Sequence, residues 1–428
     1  MTTLIITIFL LGYLLIATES ISKINKASFA LLMCVTCWVL YAIGGYAADG
    51  LSETLEHYLG EAGTTLFFLM GAMTIVEIVD QHSGFNFVRN LLHTESKRIL
   101  LWRIGILTFI FSAILDNLTT TIVMIMILRK LISNHNDRII YASMIVIAAN
   151  AGGAFSPIGD VTTIMLWNNR MLTATGVIKE LFLPSLAAFA IPAIILQYHL
   201  QGGIQQPEKD DINNTVTTVS KNHRRVVFLI GVGGLCCVPI FHSITHLPPF
   251  IGILLVLSLL WIVTDTFYRH SEKNTKRVVS LLARIDMSTI LFFLGILMAV
   301  SVLAEIGVLT TIGTWLDTTI HNHYLVTGCI GILSSIVDNV PLVAGSMKMY
   351  PIMPTGDMAV DGIFWQLLAY CAGVGGSMLI IGSAAGVVAM GLEKITFGWY
   401  MKKITWVAFL GYVAGMAIYW LERTLFFN

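Results

Sequence analysis

Long apolar runs separated by short polar clusters dominate the chain. Runs at 2–18, 27–49, 64–80, 176–199, 226–242, 247–266, 288–306 and 404–422 carry few charges. About 20 apolar helical residues suffice to cross a hydrocarbon core of ~30 Å. Two further apolar stretches, 139–168 and 363–392, are interrupted near their middles by glycine and polar residues. The pattern predicts ten crossings, eight continuous and two broken. The first run has no basic residue ahead of it and no small-residue cleavage site, so it reads as a span and not as a signal peptide.

The two halves of the chain resemble each other. "FFLMGAM" at 67–73 recurs loosely as "FFLGILM" at 292–298, and "SAILDN" at 112–117 as "SSIVDN" at 334–339. "NAGGAFSPIGD" at 150–160 recurs as "GVGGSMLIIGS" at 373–383, so the three offsets are 225, 222 and 223. Matches in one order at one spacing indicate duplication. Each half then holds five crossings, and an odd number inverts the second copy, as is common in secondary transporters. The expected fold is an all-α polytopic membrane protein of two inverted repeats, each with five transmembrane helices (one broken) and a re-entrant hairpin. Residues 1–200 form the first repeat, 201–225 a cytoplasmic linker rich in Gln, Asp, Asn, Thr and Lys, and 226–428 the second repeat.

Charge tests this topology. With the N-terminus outside, all but four of the 25 Lys and Arg fall on one face, the exceptions being Arg170, Lys179, Lys348 and Arg423. Basic residues favour the cytoplasmic side, so both termini are expected outside, in a bacterial inner membrane. Composition agrees: 56% of residues are apolar and 12% charged, against about 25% charged in soluble domains. The six cysteines lie in apolar segments, and Cys34 and Cys37, though spaced C-x-x-C, have no ligand-bearing neighbours. They read as packing residues, and no charge run suggests nucleic acid.

Segments 104–130 and 324–350 are apolar but short. Arg103 and Arg129 flank Asp116-Asn117 by 13 and 12 residues, which limits each leg to about 20 Å of helix. These segments are expected to dip to mid-membrane and return, with Asp116-Asn117 at one tip and Asp338-Asn339 at the other. A carboxylate at that depth costs about 2.5–3.5 kcal/mol on insertion scales. The plain alternative is that each Asp-Asn pair caps a helix start, which would still leave oxygens free for an ion. In the broken spans, Asn150, Ser156 and Asp160 surround Pro157 and are followed by Thr162-Thr163; Ser377 and Ser383 lie among glycines in the second half. Pro removes a helical donor, and unwound backbone survives in a membrane only beside a cavity or protein. Such oxygens suit a hard cation, although a glycine-lined packing face is the other reading.

At these residues the chain resembles the NhaD-type sodium/proton antiporters, within the ion-transporter superfamily that also holds arsenite permeases, citrate carriers and dicarboxylate symporters. The likeness runs from "MGAMTIVEIVDQHSGF" (70–85) to "GLEKITFGW" (391–399), and is most specific at "LDNLTTTIVM", "ANAGGAFSPIGDVTTIMLW" and "VDNVPLVA". The resemblance implies paired hairpin tips and unwound helices that hold the ions. Residues expected to bind them are Asp116, Asn117, Thr119, Thr120, Asn150, Ser156, Asp160, Thr163, Asp338, Asn339, Ser377 and Ser383, with sodium at Asp116, Asn117, Asn150 and Asp160. Dicarboxylate carriers of the superfamily have Ser-Asn-Thr tips, whereas the Asp-Asn tips here repel a carboxylate and attract a cation. Glu77, Asp80 and His82 near a span's cytoplasmic end, and Glu305 opposite, would relay protons or sense pH, or else form an interfacial cluster.

The expected activity is therefore exchange of sodium (or lithium) for protons across the bilayer, with no cofactor and no enzymatic step; a homodimer is compatible with it. The alternative on the same fold is sodium-coupled uptake of a carboxylate or an arsenite-type oxyanion. That would want a basic or neutral pocket, and no Lys or Arg lies near either tip. A membrane-embedded aspartyl protease is a poorer fit, since it needs no duplicated hairpin. Primary pumping lacks its phosphate-binding loop.

Overall fold

The computed structural model describes residues 1–428 except 18–21, 23, 46–49, 85–90, 93, 201, 204–219, 268–276, 321, 337–338 and 427–428. The first half contains α1 (Thr2–Ala17), α2 (Lys26–Ile43), α3 (Leu51–Gln81), α4 (Lys97–Leu115), α5 (Asn117–Leu131), α6 (His135–Ala154), α7 (Val161–Asn168) and α8 (Ala174–Leu196). The second contains α9 (Lys221–Thr245), α10 (Pro249–Phe267), α11 (Val278–Leu282), α12 (Met287–Glu305), α13 (Val308–Ile320), α14 (His323–Ser334) and α15 (Asn339–Met349). It closes with α16 (Ile363–Gly375), α17 (Ala384–Glu393), α18 (Phe397–Lys403) and α19 (Thr405–Phe426). Side-chain caps start many of them: Asn25, Asn134, Thr173 and Asn322 each accept a backbone N–H from the first turn that follows.

Among the described residues, seven helices are long and apolar enough to cross a membrane, and the bent pair α18–α19 makes an eighth. The chain is an integral, polytopic, almost wholly helical membrane protein. Two details depart from the sequence expectation. First, α3 begins at Leu51, well before the apolar run at 64, and its 31 residues rise about 46 Å, so its N-terminal turns extend past the hydrocarbon.

The second departure concerns the incoming leg of the first hairpin, which begins at Lys97 instead of 104 and has 19 residues. Arg103 does not end this helix, because its guanidinium reaches back to the Leu91 carbonyl at 3.3 Å. A long basic side chain can stay within a span by directing its charge toward the interface. Leg length therefore does not mark α4 as re-entrant, whereas α5, α14 and α15 have 15, 12 and 11 residues.

Contacts fix the helix directions. Lys97 at the start of α4 pairs with Asp137 at 2.7 Å, and Arg129 and Arg138 both bond Glu393, at 2.7 and 2.9 Å. Both outer ends of α4–α5 thus lie at the start of α6, while their junction at Asp116-Asn117 lies near the end of α6, where Asn117 bonds Asn150. In the second half, the rings of His323 and Tyr350 both pack on Phe364 at the start of α16. Ser334, at the far end of α14, donates to the Ala372 carbonyl at 2.8 Å.

The broken pairs run in opposite directions. From the start of α6 the chain passes through α7 to Thr173, whose N–H and hydroxyl donate to Asp361 just before α16. From there α16 and α17 lead back to Glu393, beside Arg138 at the start of α6. Related contacts recur about 223 positions apart: Ser112 donates to the Ala149 carbonyl as Ser334 does to that of Ala372. Around this centre pack α4–α8 with α14–α17 and α19, while α1–α3, α9, α10 and α12 form a second packing group. The two groups meet where α7 touches α3 and α15 touches α12.

Candidate functional site

Each break brings one helix end to the middle of the first packing group. Asp116 interrupts α4–α5 with φ 87° and ψ 158°, a conformation that costs a non-glycine residue about 1–3 kcal/mol. Its carboxylate caps α5, taking the Thr119 N–H and hydroxyl at 2.8 Å each. Asp160 caps α7 through the Thr162 N–H at 3.1 Å, and Ser383 caps α17 through the Gly386 N–H at 3.2 Å. Helix N-termini with partial positive charge and helix C-termini with free carbonyls therefore converge on one region.

One network occupies that region. Asn117 donates through Nδ2 to Asp160 Oδ2 at 3.3 Å and to Asn150 Oδ1 at 3.1 Å. Asn339, from the other hairpin, donates to Asp160 Oδ2 at 3.4 Å. Asn150 then donates to the hydroxyls of Ser377 and Ser383, at 3.2 and 2.9 Å. All six side chains are buried, so residues of both halves share one carboxylate, three amides and two hydroxyls.

The remaining candidates fall around this network or away from it. Thr120 and Thr163 are buried beside it, and their hydroxyls have no hydrogen-bond partner among the described residues. Ser156 donates instead to the Ala113 carbonyl, tying the first break to α4. Asp116 and Thr119 are partly exposed and bond each other. Asp338 lies outside the described residues. Glu77, Asp80 and His82 are at the end of α3, and Glu305 is at the end of α12; neither helix contributes to the network. Glu77 approaches Arg284 at 3.8 Å, His82 Nδ1 is 2.7 Å from the Ile78 carbonyl, and Glu305 accepts the Tyr58 hydroxyl at 2.7 Å.

Two participants lie outside the ion-binding set expected from sequence. Thr162 gives its N–H to Asp160 and buries a hydroxyl with no hydrogen-bond partner among the described residues; its place directly after Asp160-Val161 was the available signal. Tyr400, which its place near a helix end marks as an interface anchor, is instead fully buried on α18 and donates to the Ser377 carbonyl at 2.8 Å; hydropathy alone does not distinguish the two settings.

The four segments that build the site carry no basic residue along their lengths. Between Arg103 and Arg129, Arg138 and Arg170, His323 and Lys348, and Gly362 and Lys394 there is no Lys or Arg. A buried carboxylate is costly as a bare anion. It is stabilised by a proton or by a metal cation, and the amide and hydroxyl oxygens nearby are hard ligands for the latter.

Comparison with known proteins identifies the family. Residues 13–368 match the family model described as citrate transporter. The chain is 45% identical over 422 residues to sodium/proton antiporter 1 of Arabidopsis thaliana, covering 98% of this chain and 72% of that protein. It is 32% identical over 452 residues to the Na(+)/H(+) antiporter NhaD of Vibrio cholerae, covering 97% and 90%. In fold it is similar to the crystal structure of the Alcanivorax borkumensis YdaH transporter, with a TM-score of 0.58 at 12% identity over 94% of this chain and 98% of that one.

Proposed function

Because this chain belongs to the NhaD-type sodium/proton antiporters, within the citrate-transporter family, we infer that it is a secondary transporter exchanging sodium for protons across the membrane. It is a transporter and not an enzyme. We further assign the exchange to the network around Asp160. The observation that carries this reading is that Asp160, the one carboxylate in the network among the described residues, accepts hydrogen bonds from the asparagines of both hairpins.

Sodium and a proton would use Asp160 alternately. Leaving the carboxylate charged and uncompensated away from water is costly, so the site carries one cation or the other when it moves. That mutual exclusion couples the fluxes. Asp116 adds a second carboxylate beside Asn117, and the hydroxyls of Thr120, Thr162 and Thr163, without hydrogen-bond partners among the described residues, supply further oxygens. Lithium, with the same charge and oxygen preference, is an expected second cargo.

The opposed courses of α6–α7 and α16–α17 support an inverted repeat spanning 1–200 and 226–428. With the basic residues placed in the cytoplasm, both termini lie outside and 201–225 lies in the cytoplasm. The anion reading fares worse, because a citrate would meet Asp160 with no Lys or Arg along the four surrounding segments. Purified protein in proteoliposomes should answer a sodium or lithium pulse with proton movement. It should not accumulate labelled citrate or succinate under a sodium gradient; such accumulation would overturn the reading.

A further inference from the structure

A cavity with polar groups on several of its walls lies away from the Asp160 network, where the two packing groups face each other. Tyr58, Glu61 and Thr65 of α3, Ser301 of α12, Lys348 of α15, and Asn169 just past α7 line it. Its walls lead back to the network: α7 starts beside Asp160 and α15 starts at Asn339. From Asn339 to Lys348 the helix rises about 13 Å.

One ion pair bridges this cavity. Lys348 Nζ lies 2.6 Å from Glu61 Oε2 and 4.8 Å from the centre of the Tyr58 ring. Glu61 Oε1 faces His57 Nε2 at 3.4 Å, and the Tyr58 hydroxyl is held by Glu305 at 2.7 Å. The ammonium therefore sits between a carboxylate and an aromatic face, both on α3, while its own backbone belongs to the hairpin arm that begins at Asn339. Any separation of α3 from α15 must break this pair. Both side chains are about two-thirds buried, and partly buried pairs are screened less by salt than exposed ones.

We propose that the Glu61–Lys348 pair gates the outer end of the cation path, with Lys348 holding as a tethered cation the carboxylate at which transported sodium docks. This rests on the antiport reading and on the outward placement of this face. A sodium ion arriving from outside displaces the ammonium and takes its place at Glu61 as α15 moves away. When sodium leaves, the ammonium returns and closes the cavity. No bond is made or broken beyond the exchange of one cation for another.

The test is sided. Sodium-dependent proton flux is measured in right-side-out and everted vesicles, for the unchanged protein and for Lys348→Met, Glu61→Gln and the swap Glu61→Lys with Lys348→Glu. Removing the tethered competitor should lower the half-saturating sodium concentration at the outer face by about threefold or more, since an unopposed negative charge concentrates cations in a cleft. Glu61→Gln should raise it, the swap should bring it back toward the original value, and the cytoplasmic-face value should not change in any of them. Equal shifts at both faces, or no shift with exchange intact, would overturn the gate while leaving the antiport reading standing. Absence of sodium-dependent flux in the unchanged protein would overturn both. As a second measurement, bridging a Glu61→Cys and Lys348→Cys pair with a short, reductively cleavable bifunctional thiol reagent should stop exchange, and cleaving the bridge should restore it. Unaltered exchange in the bridged pair, with the cross-link verified, also counts against the gate.

Discussion

Asp160 is held by amides, and an amide is a modest partner for a carboxylate. A hydrogen bond to a charged group contributes about 1.5–3 kcal/mol, whereas a guanidinium would neutralise the charge outright and leave nothing for a cation to do. The asparagines orient the carboxylate and keep it available. Asn339→Ala should therefore weaken sodium binding and leave proton transfer chemistry in place. A loss of about 1.4 kcal/mol raises the half-saturating sodium concentration about tenfold, which a sodium titration of proton flux reads directly; an unchanged titration would remove Asn339 from the site. Most of these residues are legible in the sequence, because Asn117, Asn150, Asp160 and Asn339 are polar groups placed inside otherwise apolar runs. Their ranking is not. Sequence places sodium at both Asp116 and Asp160, while the structure turns Asp116 back onto Thr119 and sets Asp160 between two asparagines. Which way a carboxylate turns depends on φ at the tip, and no spacing encodes that.

Among the elements, the breaks are held by backbone packed against backbone. A Cβ on Gly152 would lie 2.2 Å from the Phe109 carbonyl oxygen, and a Cβ on Gly375 would lie 2.2 Å from that of Gly331. Backbone cannot move aside as a side-chain tip can, so a larger residue must separate the hairpin from its broken helix. Gly375→Val is expected to cost about 1–3 kcal/mol through overpacking and to displace the second tip. The measurements are a lower thermal midpoint in detergent and lost exchange; a variant with both unaltered would mean that this approach is not needed. The positions of the breaks are legible because glycine and proline mark them. The length of α4 is not, since Arg103 looks like an interfacial stop yet continues the helix by reaching the Leu91 carbonyl. The extension of α3 to Leu51 is missed for a similar reason. Hydropathy measures the part of a helix in lipid, and Glu53, Glu56 and His57 lie on turns beyond it.

The whole molecule is organised about one meeting point of opposed halves, and its topology has a direct consequence. If the basic residues face the cytoplasm, the exposed segment 351–357 lies outside and the exposed Lys402 lies inside. A cysteine placed at Thr355 should react with an impermeant thiol reagent on intact cells, and one placed at Lys402 only after permeabilisation; the reverse pattern would invert the assignment. The charge pattern is the sequence's argument for this orientation, whereas the convergence of both halves on Asp160 depends on packing that only the folded chain displays. That convergence is the central claim, since it makes one carboxylate serve both cations. The most direct test is sodium-dependent proton flux of Asp160→Asn in proteoliposomes over a range of pH. Asparagine keeps the size of the side chain and an oxygen for the Thr162 N–H, but it can neither lose a proton nor balance a cation. Flux at the level of protein-free liposomes at every pH, from a protein that remains folded and inserted, is the predicted result. Near-normal flux at any pH would contradict the account.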